Sequence, residues 1–118
     1  MSILNFNSFI NEAKSEQTPF QEFALKRLAG ATKIAEGAKK KGGLALLTYH
    51  HFVVKLPYYK KAAAGKFNYA DANSELLKLN KELAQLLEKF EPKDQTPFQK
   101  IMGKIEVIGE LLIRHSVD

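Results

Sequence analysis

Thr18-Pro19-Phe20-Gln21 recurs in the chain as Thr96-Pro97-Phe98-Gln99. Each copy has the form of a helix start. Threonine takes the N-cap, proline occupies the first helical position where its missing N–H costs nothing, and glutamine three residues on reaches back to the cap amide. Two helices are therefore expected to begin at these threonines. The residues that follow differ, Lys- and Arg-rich after the first copy and Ile-rich after the second, so the repeat reads as convergent capping and not as a duplicated domain.

From the first cap, apolar residues recur at Phe20, Phe23, Ala24, Leu28, Ala31, Ala35 and Ala38, the i, i+3, i+4 spacing of one buried helix face. That helix should end near Lys40, with Lys39-Lys40-Lys41 favourably placed at its negative end and Gly42-Gly43 as the left-handed stop. Leu44 to Leu56 is apolar on nearly every side, which predicts the central helix of a bundle. Pro57 predicts a bend, followed by a short helix from Tyr58 to Ala64 closed by Gly65.

Between about Asp71 and Phe90, Leu76, Leu79, Leu83, Leu86 and Phe90 alternate at spacings of three and four. This is the seam of helix pairing, available to a neighbour in the same chain or to a second copy in a homo-oligomer. The helix after the second cap should bury Phe98, Ile101, Ile105, Ile108 and Leu112, with Met102 and Leu111 widening the stripe. No run alternates strictly enough to make a strand. The expected fold is all-α, a single-domain bundle of four to five helices over residues 18–118, preceded by a leader or short amphipathic helix at 1–17. A chain of 118 residues has room for one core.

Composition excludes several functions. The chain has no cysteine, which removes disulfides, thiolate metal sites and cysteine nucleophiles. No apolar run approaches the ~20 residues that cross a bilayer, and no basic start of a secretory signal precedes the first apolar residues, so no membrane association is expected. His50 and His51 are adjacent and diverge by about 100° on a helix, and His115 has no neighbour at ligand spacing, so no metal site is assigned. No glycine-rich phosphate loop, nucleophile elbow or pair of carboxylates at a predicted cleft is found. Neither catalytic residues nor a cofactor are expected.

The charge distribution is the positive signal. The net charge is +5, but residues 24–67 carry ten bases against Glu36 alone. These are Lys26, Arg27, Lys33, Lys39, Lys40 and Lys41 in the first helix, then Lys55, Lys60, Lys61 and Lys66. Tyrosines are interleaved with the later ones, and Tyr58 and Tyr59 beside Lys60 and Lys61 are the best placed to stack on bases while lysines meet phosphates. The expectation is a shared cationic patch for DNA or another polyanion. The plainer alternative is a solvated lysine face that keeps the chain soluble.

The opening Met1-Ser2-Ile3-Leu4-Asn5-Phe6-Asn7-Ser8-Phe9-Ile10-Asn11-Glu12-Ala13 resembles the openings of small proteins of T-even-like tailed bacteriophages, and especially the capsid-targeting peptides of their internal head proteins. Those leaders end in Phe-Ile-x-Glu before a small residue and are cut after the glutamate. The resemblance implies a processing site between Glu12 and Ala13 and a location in the phage head interior or host cytoplasm. His51 to Tyr59, with its Leu-Pro-Tyr-Tyr turn, is similar to a family of small phage proteins without a described mechanism. The reading carried forward is a basic phage accessory protein that binds a polyanion. Its rivals are a module that binds and modulates a host protein, and a homo-oligomeric virion component.

Overall fold

The computed structural model describes residues 17–117, and among them the chain is all-α, with five helices and no strand. Helix α1 spans Pro19–Lys41, α2 Ala45–Val53, α3 Leu56–Ala63 and α4 Tyr69–Glu88. A short 3-10 turn at Pro92–Asp94 then leads into α5, Gln95–Val117. The candidate cleavage site at Glu12 and Ala13 lies outside the described residues.

Helix α1 begins at the expected capping box. The Gln21 amide donates to Thr18 Oγ1 at 3.1 Å, and the Thr18 amide donates to Gln21 Oε1 at 2.9 Å. Phe20, Ala24, Ala31, Ala35 and Ala38 are buried along one face. The small alanines allow α2 and α3 to lie close against it. Gly42 and Gly43, at φ +68° and +58°, turn the chain back in a conformation that a side chain would strain.

The second Thr-Pro-Phe-Gln copy does not cap a helix. Pro92 starts helical geometry early, Asp94 Oδ2 accepts from the Glu91 amide at 3.0 Å, and α5 is already running at Gln95. Thr96 and Pro97 therefore sit inside the first turn, where proline's lack of an N–H is still harmless.

The apolar stretch from Leu44 to Leu56 is not one central helix. It splits at Val54-Lys55, so that Leu56 and Pro57 open α3. None of α2 is fully buried, and Leu44 is 87% exposed. A helix that is apolar all round is buried only if neighbours surround it, and α2 packs chiefly against α1 and α5. The central element is α5, where Val107, Ile108 and Leu111 are almost wholly enclosed.

Asn68 caps α4, accepting from the Asp71 amide at 2.9 Å. The leucine seam of α4 is used within the chain. Leu79 is buried, Leu76 packs on the core, and the Phe90 and Phe98 rings meet at 5.5 Å between centroids across the α4–α5 hairpin. Leu76 and Leu79 of the seam thus pack against the chain's own core, while Phe90 remains 41% exposed.

Helices α2 and α5 cross at Gly103. A Cβ there would lie 2.7 Å from Val54 Cγ2 and 3.0 Å from the carbonyl carbon of His51, closer still to its oxygen. Gly109, two turns along α5, has no such neighbour. Gly103→Ala is expected to lower stability by about 1–3 kcal/mol through overpacking, whereas Gly109→Ala should raise it by about 0.5–1 kcal/mol. Urea unfolding midpoints of the two variants check the contrast, and equal responses would remove the crossing as a constraint.

Candidate anion-binding face

The buried stripe of α1 fixes which way its remaining residues point. At 100° per residue, Lys26, Lys33 and Lys40 recur every seven positions directly opposite that stripe. All three are exposed. They form a row on the outer ridge of α1 with steps of about 10 Å. Lys39 leans back over the Tyr49 ring at 5.7 Å, and Lys41 ends the helix in solvent.

Helix α1 runs antiparallel to the α2–α3 segment. Its C-terminal Lys39 meets Tyr49 of α2, while its N-terminal Gln21 lies against Gly65 after α3. Lys39, Lys40 and Lys41 are therefore at one end, and Lys60, Lys61 and Lys66, all exposed, flank the other. The two groups are separated by roughly 28 Å of helix. They do not gather into one compact patch, and Lys26 and Lys33 bridge the interval.

Three of the candidate residues are drawn into the fold instead. Lys55 is only 7% exposed. Its Nζ donates to Glu106 Oε1 at 2.9 Å and lies 4.6 Å from the Phe52 ring centroid. Tyr59 is buried and donates its hydroxyl to Glu110 Oε1 at 2.5 Å. Tyr58, half-buried, donates to Glu75 Oε2 at 2.5 Å. Burial first, and the accepting carboxylate second, push both phenols well above the usual tyrosine range. These rings brace helices and are not free for base stacking.

The carboxylates responsible belong to a polar ladder that the helical pattern alone did not disclose. Gln99, Gly103, Glu106 and Glu110 follow one another on α5 in steps of four, three and four, which keeps them on one face. His51, Lys55 and Tyr59, four residues apart across the Val54-Lys55 turn, face them in the same order. His51 Nδ1 is 3.0 Å from Gln99 Oε1, and its Nε2 is 3.1 Å from Glu106 Oε1. Arg27 of α1 completes the row, its Nε 3.4 Å from Glu110 Oε2 and its guanidinium stacked over Phe23. The signal was present in the spacing on α5, but its acids read as outward-facing without knowledge of what lay opposite.

Burial pushes the Glu106 carboxyl up, but hydrogen bonds from Lys55 and His51 outweigh this and hold it below the usual carboxylate range. Among the described residues no group of three His, Asp or Glu side chains forms a metal site. Nor, among them, is any helix long and apolar enough to cross a membrane.

Glu106→Gln keeps the side-chain shape and removes the charge facing buried Lys55, with an expected loss of about 1–3 kcal/mol at neutral pH. Because the native carboxyl is depressed, its contribution is complete above the unfolded value and is lost as pH falls through the folded one. The stability gap between the two proteins should therefore narrow between neutral pH and a pH below the usual carboxylate range. Denaturant titrations at both pH values test this, and a gap unchanged by acid would refute the pairing.

No protein-family profile matches the chain, and neither a curated protein nor a solved structure shows significant similarity to it.

Proposed function

We propose that the protein is a non-catalytic binding module that engages a polyanion lengthwise along the outer ridge of α1. The observation that carries this reading is the row of Lys26, Lys33 and Lys40. Each is exposed, and none forms an ion pair with a carboxylate among the described residues. Glu106 and Glu110 are engaged by Lys55, His51 and Arg27, while Glu22 and Glu36, each one helical turn from Lys26 or Lys40, are exposed on the same side of α1 and lower the net charge of the row. A straight row of cations suits a rod-like anion better than a compact one, because successive charges meet successive phosphates.

Lys60, Lys61 and Lys66 add exposed cations alongside the N-terminal half of α1. With Tyr58 and Tyr59 engaged by carboxylates, affinity is expected to come from phosphate contacts and to be nearly independent of base sequence. Under the phage reading the natural polyanion is packaged DNA, and cleavage after Glu12 yields the mature form. Mass spectrometry of purified virions tests that setting, with a chain beginning at Ala13 as the expected result.

Duplex DNA binding should weaken steeply with salt. Replacing Lys26, Lys33 and Lys40 with glutamine should reduce the slope of log K against log salt by about 0.9 per lysine, close to three in total. Fluorescence anisotropy over a salt series measures it. Absence of binding at low salt, or an unaltered slope in the triple variant, would sink the proposal.

A further inference from the structure

Beside the lysine ridge, where α1 meets the end of α2, the Lys55 turn, α3 and α5, there is a cavity of about 190 Å³. Its lining includes Lys26, Arg27 and Lys55 against the single acid Glu110. By the volume of liquid water it has room for about six molecules, enough for a tetrahedral oxyanion with part of its hydration.

Gly30 lies at the rim of this cavity, in the exposed interior of α1. A Cβ built on it would meet no atom within 4 Å, and its φ is not in the left-handed region. Neither packing nor backbone conformation calls for glycine here, yet glycine weakens a helix relative to alanine. What it does provide is a cavity mouth free of a side chain, although Gly37 on the same helix is equally uncontacted.

We propose that this cavity seats one phosphate group. The inference rests on the polyanion reading and names the subsite at which the polymer is gripped. Lys26 makes no ion pair among the described residues, so its ammonium is available to the incoming charge. Arg27 uses Nε toward Glu110 at 3.4 Å, and its remaining N–H donors can address phosphate oxygens. Lys55 is already paired with Glu106, so the cationic excess of the cavity rests on Lys26 and Arg27. Glu110 opposes the anion and sets a limit on its affinity. The group can come from a nucleic-acid backbone or from free phosphate, since both present the same oxygens.

The test uses the full chain and two probes, inorganic phosphate and a short DNA duplex, followed by ¹H–¹⁵N NMR. Phosphate should shift the Gly30 amide and Arg27 Nε–H resonances selectively. Gly30→Leu, which places a side chain at the mouth, should weaken phosphate binding about tenfold or more, and Gly30→Ala, whose Cβ meets no atom within 4 Å, should leave thermal stability equal or higher. Glu110→Gln, which keeps an acceptor for Tyr59, should tighten it several-fold.

Shifts spread evenly over all lysines, or full phosphate affinity in Gly30→Leu, would overturn the subsite. If Gly30→Leu also binds the duplex normally while Lys33→Gln with Lys40→Gln does not, the ridge stands and the cavity falls. Selective phosphate binding without duplex binding would support the cavity as a site for free phosphate and remove the polyanion reading.

Discussion

The close crossing of α2 over α5 at Gly103 is the constraint on which the rest depends. Only a residue without a side chain lets the His51 carbonyl and Val54 rest against the α5 backbone. That contact sets both the separation and the register of the two segments. With it in place, His51, Lys55 and Tyr59 reach Gln99, Glu106 and Glu110 at hydrogen-bonding distance. A wider crossing would leave Lys55 enclosed with no partner, an arrangement far costlier than the ion pair is favourable. The apolar core near Val107 and Leu111 and the polar ladder beside it therefore share one geometric origin.

Periodic features were legible in the sequence because they are local. The Thr18 cap, the alanine stripe of α1 and the leucine seam of α4 each follow from spacing alone. Apolar density was a poorer guide. The stretch from Leu44 to Leu56 is richer in large apolar residues than α5, but burial depends on how many elements surround a helix, which no local window contains. The second Thr-Pro-Phe-Gln failed as a cap for a similar reason, since Pro92 and Asp94 upstream had already begun the turn.

The proposed binding face was legible in part. Exposed lysines on α1 follow from the helical period once its inner stripe is known. The fates of Lys55, Tyr58 and Tyr59 do not, because their partners are 51 and 17 residues away along the chain. Composition counted Lys55 and Arg27 with the free cations, although both face carboxylates of α5. The antiparallel course of α1 against α2 and α3 likewise decides that lysines near in sequence number end far apart. It converts an expected patch into an extended line.

Helix α4 stands apart from this network. It leans mainly on α5, with the Tyr58 hydroxyl as a tie to α3 through Glu75, and leaves Leu77 and Leu87 largely in solvent. The block formed by α1, α2, α3 and α5 is joined by ion pairs between helices and a backbone-close crossing, whereas α4 is fastened along a single flank. Cooperative opening is therefore graded across the molecule. Amide protons in α4 have a route to exchange by detachment of that helix alone, while those in the middle of α5 must await global unfolding.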